Sequence, residues 1–339
     1  MRSSSLLVAL LSLFVALGST LLLGCGPSPQ PDAPRSGTPG DTKLVVGFAQ
    51  TGAESDWRAA ETDSVREEAE RRGIELKFVG GQSQQENQIR AIKSFVRQKV
   101  DAILLAPIVE TGWENALSLA KEAGIPVILL DRGISKGQEE LYATLIASDF
   151  VQEGRMAAEW LIAELKSRDS KGAQIVELEG EPGSSPANDR HAGFHEVLNQ
   201  HEGFEVILAQ TGNFTREGGK RVMEAFLKSR GDEIDAVYAH NDDMALGAIQ
   251  ALQAAGKKPG QDVLIVSIDG TKAAFEAMVR GELNATVECL PLLGPYAFDA
   301  VERILKGGEE AANIPKWIKV KDQIHTQAKA AELLPTRKY

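Results

Sequence analysis

Four stretches of the chain place charged and amide side chains directly after short apolar runs. Gln50-Thr51-Gly52-Ala53-Glu54-Ser55-Asp56-Trp57-Arg58 follows the run 43–49, and Asp131-Arg132-Gly133 follows 126–130. His240-Asn241-Asp242-Asp243 follows 236–239, and Asp269-Gly270 follows 263–268. Arg190 adds a further guanidinium near the start of a helical pattern at 188–198. Carboxylate and amide oxygens accept hydrogen bonds, and Arg donates through a rigid fork. Trp57 and Phe214 offer flat apolar platforms. A compact molecule with several hydroxyls and one apolar ring face, a monosaccharide above all, uses all three. Each residue alone also has a plain reading: Asp131, Asn241 and Asp269 as helix caps, Arg58 and Arg132 as surface ion pairs worth under about 1 kcal/mol. What distinguishes the set is that nearly all of it falls at carboxyl ends of apolar runs.

Other chemistry finds less support. Gly212 to Lys220 has a phosphate-loop look, but the gap before Gly219-Lys220 is wrong and Arg221 stands where Ser or Thr is required. His191 and His195 are four apart on a helical pattern, with no third ligand at zinc spacing, so no metal is expected. Glu177, Glu179 and Glu181 read as strand and loop charges. No nucleophile–base pairing or flanking carboxylate pair stands out, so the chain is expected not to be an enzyme and to need no cofactor.

The elements that must position these residues alternate regularly. Apolar runs at 43–49, 75–79, 102–106 and 126–130 are separated by helical patterns at 57–72, 87–98 and 113–123. Arg72-Gly73 and Ala123-Gly124 read as helix stops. The pattern restarts with a helix at 150–165 and runs through strands at 174–178, 205–209, 236–239 and 263–268. Strand–helix alternation predicts two doubly wound α/β units with parallel sheets, which bind ligands beyond the carboxyl ends of their strands. Facing units place the site in the cleft between them.

Composition fits this. The chain has 339 residues, enough for two domains, and a formal net charge of −11 that argues against nucleic-acid binding. Of its two cysteines, Cys289 reads as a buried apolar residue. Cys25 ends an N-terminal segment with Arg2, an apolar stretch and Leu22-Leu23-Gly24-Cys25. That ending resembles the lipobox of bacterial lipoproteins, which implies cleavage before Cys25 and its acylation. The run is almost long enough to span a bilayer. A Pro/Gly/Ser tether at 26–41, without a basic stop-transfer cluster, favours a lipoprotein leader at 1–25 over a spanning anchor.

Val46-Gly47-Phe48, Ala106-Pro107, Leu129-Leu130-Asp131-Arg132, Asp189-Arg190 with Gly193-Phe194, His240 to Ala248 and Ser267-Ile268-Asp269-Gly270 resemble the ribose/galactose-type periplasmic binding proteins of ABC importers. Glu54 to Thr62, Gln85 to Ile89, Thr111-Gly112-Trp113 and Tyr238 to Met244 are most similar to that family's galactofuranose binders. The resemblance implies a type I fold of two lobes joined by a three-strand hinge, with crossovers near Ala147, Cys289 and Lys319. The first lobe is then 42–147 with 290–318 and the second 148–289 with 319–339. It implies that Glu54, Ser55, Asp56, Trp57 and Arg58 contact sugar as a loop, that Asp131 and Arg132 hold ring hydroxyls, that Arg190 reaches in from the second lobe, and that Asn241 and Asp269 complete the contacts. Asp56 replaces the glycine of the galactofuranose binders and is expected to bring a carboxylate beside the ligand. The expected partners are a monosaccharide, an importer permease and a membrane reached through the lipid anchor, for a monomer on the extracytoplasmic face. A sugar carrier for a chemoreceptor or sensor kinase is the alternative.

Overall fold

The computed structural model describes residues 43–339; Cys25, the leader and the tether lie outside the described residues. The first sheet starts with β1 (Val45–Gln50), β2 (Glu75–Gly80), β3 (Ala102–Leu105), β4 (Val127–Leu130) and β5 (Thr144–Ala147). Helices α1 (Asp56–Arg71), α2 (Gln85–Gln98) and α3 (Glu114–Glu122) lie between its first four strands. Then come α4 (Phe150–Ser167), β6 (Ala173–Glu179), α5 (Ser185–Leu198), β7 (Phe204–Thr211) and α6 (Arg216–Arg230). The second sheet continues with β8 (Ala236–Ala239), α7 (Asp242–Ala254), β9 (Leu264–Asp269), α8 (Lys272–Val279) and β10 (Ala285–Glu288). The chain ends with α9 (Gly294–Lys306), α10 (Gly308–Ala312), β11 (Trp317–Lys319), β12 (Ile324–Thr326) and α11 (Gln327–Leu333).

Two six-stranded sheets result, ordered β11-β5-β4-β3-β1-β2 and β12-β10-β9-β8-β6-β7. Every pairing is parallel except β10 with β12. Strands such as Ala102–Leu105 and Val127–Leu130 are buried along their whole length, as parallel strands covered by helices on both faces must be. The two faces of the first sheet carry separate cores, one around Ile92, Phe95 and Trp113, the other around Phe48, Phe298 and Val301. The second sheet repeats this around Met223, Leu252 and Phe275 on one side and Leu161, Phe194 and Tyr238 on the other.

Helix stops read from sequence are where the backbone turns left-handed. Gly73 has φ 68° and Gly124 φ 70°, and each releases the chain directly into the next strand. Strand order reverses beside β1 in the first sheet and beside β6 in the second. In each lobe one site-bearing turn, after β1 and after β8, leaves its carboxyl end at this switch, where doubly wound sheets hold their ligands. The chain passes between the sheets three times, at 148–149 after β5, at 289–293 after β10 and at 320–323 after β11.

Candidate functional site

Ser55 caps α1 by accepting a hydrogen bond from the Arg58 amide at 3.1 Å, so the first helical turn begins at Asp56. Trp57 and Arg58 therefore sit on a helix rather than on a loop. Successive helical residues turn by about 100°, and here Trp57 and Arg58 face inward while Asp56 faces out. Asp131 ends β4 with φ 60° and Asp269 ends β9 with φ 137°, conformations that cost a non-glycine residue about 1–3 kcal/mol and recur at ligand clamps. Asn241 caps α7, accepting from the Met244 amide and donating to the Phe214 carbonyl. Both its polar atoms thus already have protein partners.

These turns meet at a small polar cleft between the lobes. Glu54, Ser55, Trp57, Arg58, Asp131, Arg132, Arg190, Asn241 and Asp269 line it, joined by Pro186, Phe214 and Cys289. Nine of the ten expected contacts meet there. Asp56 is the exception. Its carboxylate lies on the exposed rim, 3.1 Å from Arg216, and its amide donates to Asp243 at 2.8 Å. The extra carboxylate therefore ties the two lobes together instead of standing beside the cavity.

Three buried guanidiniums dominate the chemistry. Arg58 meets Glu61 at 2.5 Å, Asp131 at 2.7 Å and Glu54 at 3.1 Å. Arg132 meets Glu54 at 3.1 Å and donates to the Ile108 carbonyl. Arg190 meets Glu153 at 2.7 Å and donates to the His240 carbonyl. Burial works against the Glu54 carboxylate, yet Arg58 and Arg132 hold it below the usual range. Burial and the neighbouring Arg58 charge push Arg132 down. Asp269 is pushed well up by burial, reinforced by the charge of Asp242. Two buried atoms of this lining have no protein partner, Arg132 Nε and Asp269 Oδ2.

The aromatic groups serve the arginines as well as the cavity. The Arg58 guanidinium lies 4.8 Å from the Trp57 ring and Arg132 lies 5.4 Å from Phe214. Trp57 Nε1 donates to the Cys289 carbonyl at 2.5 Å, pinning a first-lobe helix to the second crossover. Phe214 packs so closely on Gly180 that a Cβ there would fall 2.0 Å from the ring. The lobes also touch directly. Gly133 donates to Ser185 Oγ at 2.9 Å, Glu110 to the Gly183 carbonyl at 2.9 Å, and Arg216 joins Asp56 to Asp243. This is a closed clamp.

Sequence reasoning missed Glu61 and Glu153, the carboxylates behind Arg58 and Arg190. Both sit on the buried faces of their helices, where only their burial marks them. Phe214 was legible as an aromatic platform, and Cys289 as a buried thiol whose place at the cavity was not.

A family model described as a periplasmic binding protein domain matches residues 46–309. The chain is 50% identical over 267 residues to the galactofuranose-binding protein YtfQ of Escherichia coli (strain K12), covering 78% of this chain and 83% of that one. Among solved structures it is similar to the periplasmic binding protein component of the arabinose ABC transporter from Shewanella sp. ANA-3, bound to alpha and beta-L-arabinofuranose. That match has a TM-score of 0.83 and 46% identity, covering 87% of this chain and 96% of the other. A Mycobacterium smegmatis structure in complex with beta-D-fucofuranose also gives a TM-score of 0.83 and 46% identity, covering 87% and 95%.

Proposed function

The chain belongs to the periplasmic binding protein family, and from that premise we propose that it captures a monosaccharide in its furanose form, galactofuranose first, and delivers it to an ABC importer. The carrying observation is the cavity itself. Arg132 Nε and Asp269 Oδ2 are buried without a hydrogen-bond partner, and both residues line it. A polar group left so costs about 1–3 kcal/mol, and a hydroxyl, which donates and accepts, satisfies either one. The relatives bound to arabinofuranose and fucofuranose support a five-membered ring. Glu54 and Arg58 suit the exocyclic diol tail of a hexofuranose, and Phe214 and Trp57 suit its apolar edge. Asp131, Arg132, Arg190, Asn241 and Asp269 hold the hydroxyls.

The mechanism is differential binding. Five of these groups come from the first lobe and four from the second, so sugar touches all of them only when the lobes close about the three crossovers, and it favours the closed state by that difference. The closed clamp is then the form the permease receives. No covalent step is involved, in keeping with a relative named for binding galactofuranose.

Competitive titration of galactofuranose, galactopyranose, arabinose and ribose on sugar-free protein tests the reading. Tight binding is expected only after correction for the furanose fraction, and Asp131→Ala is expected to weaken it by at least about tenfold, since a hydroxyl and Arg58 both lose their partner. Tight ribose binding with no galactose response overturns the hexofuranose assignment.

The leader extends the same reading to the envelope, with Cys25 acylated and the protein anchored as a monomer on the extracytoplasmic face. Each buried methylene of an acyl chain adds about 0.8 kcal/mol of membrane affinity. Cys25→Ser is expected to release the protein from membranes and to abolish labelling by a fatty-acid analogue. Unchanged labelling would sink the anchor.

A further inference from the structure

We propose that Glu177, His191 and His195 form a binding site for a divalent transition cation, zinc first, on the second lobe and outside the sugar cavity. The two histidines stand one turn apart on α5, and the strand beneath supplies the oxygen ligand that sequence spacing concealed. His191 Nδ1 lies 3.1 Å from Glu177 Oε1 and His195 Nε2 lies 2.8 Å from Glu177 Oε2. One ligand atom from each residue falls within 4.8 Å of the others. Zinc binds nitrogen and carboxylate oxygen at about 2.0–2.2 Å, which puts tetrahedral ligand atoms about 3.4 Å apart. The three groups thus need only small side-chain rotations to coordinate one ion.

The surroundings suit a cation. Glu177 is fully buried, whereas the side chains of His191 and His195 are 45% and 27% exposed, giving an ion a route from solvent and an open fourth position. Glu179 Oε1, 3.5 Å from His191 Nδ1, can fill that position in place of water. Behind the carboxylate stands His240, whose Nδ1 accepts from the Gly180 amide at 3.3 Å, leaving Nε2–H to donate to Glu177 Oε1 at 2.8 Å. A ligand held from behind by a hydrogen bond of this kind is oriented and kept in one ionisation state.

Zinc titration of the chelator-stripped full chain against a chromophoric indicator, at neutral pH, tests the site. One equivalent is expected to bind with micromolar or tighter affinity. His191→Ala and His195→Ala are each expected to weaken it at least about tenfold, because loss of even an outer-shell partner costs 10–100-fold. Cobalt, used as a second probe, should show tetrahedral visible absorption that both variants lose. The substituted side chains are partly exposed, and circular dichroism confirms that the variants fold. Zinc binding undiminished in both variants, or none in the micromolar range by folded wild type, overturns the proposal. None of the three residues lines the sugar cavity, so sugar titration of the same preparation reports on the clamp independently.

Discussion

Two of the three arginines that reach the cavity are braced from behind by a carboxylate buried deeper than themselves: Arg58 by Glu61, Arg190 by Glu153. The brace fixes the fork before sugar arrives, so less rotamer freedom is lost on binding. The cost appears as unfavourable charge in the interior, and one residue makes it measurable. Asp322, in the third crossover, accepts from Ser148 Oγ in the first at 2.9 Å. Burial, reinforced by the charge of Glu153, pushes its carboxyl up to about 8. The folded state therefore holds this proton more tightly than the unfolded one. Its contribution to stability is complete below the ordinary carboxylate pKa of about 4 and is lost as pH rises through about 8. Asp322→Asn keeps an acceptor for Ser148 and cannot ionise. Thermal melts across pH 4–9 should find the variant more stable than wild type at pH 8 and the gap narrowing toward pH 4; parallel profiles would contradict the assignment. Such bracing residues were invisible in the sequence. An isolated Glu in a helix reads as a solvated charge until the neighbouring element shows what covers it. Glu177, read as a strand charge, does lie on β6, and the histidines that meet it come from other elements.

At the scale of elements, most of the architecture was legible. β-branched runs and helical periods marked the two lobes, because strands covered on both faces are mostly apolar. The short strands β5, β11 and β12, of three or four residues, left too little pattern to read. Asp56 was misassigned because a loop was expected where Ser55 starts a helix, and helical rotation carries its side chain to the rim. Helix pairing depended on contacts that no propensity reveals. A Cβ on Gly193 of α5 would lie 2.0 Å from the Val151 carbonyl oxygen, and one on Gly154 of α4 would lie 2.3 Å from that of Arg190. Backbone thus meets backbone in this α4–α5 pair, and the approach helps set where Arg190 points. Gly193→Ala must push the helices apart. Overpacking of this kind costs about 1–3 kcal/mol, to be read as a lowered melting temperature, with sugar affinity falling as Arg190 shifts. An unchanged melting temperature would mean that the helices are free to separate.

Over the whole molecule, the closed clamp rests on polar ties at its rim. Arg216 stands between Asp56 and Asp243, and Gly133 and Glu110 donate to the second lobe. Exposed ion pairs of this kind contribute about 0–1 kcal/mol each, weak enough for the lobes to part and for bound sugar to decide the balance. The three crossovers have a different consequence, one of timing. The first lobe lacks helix α9 and edge strand β11 until synthesis passes Lys319, although the rest of its sheet is complete by Ala147. The second lobe lacks β12 and α11 until the ribosome nears Leu333. The core around Ile92, Phe95 and Trp113 needs no late residue, whereas the opposite face of that sheet waits for Phe298 and Val301, and such contacts between residues far apart in the chain slow folding. A chain ordered this way completes its native structure only when it is almost finished.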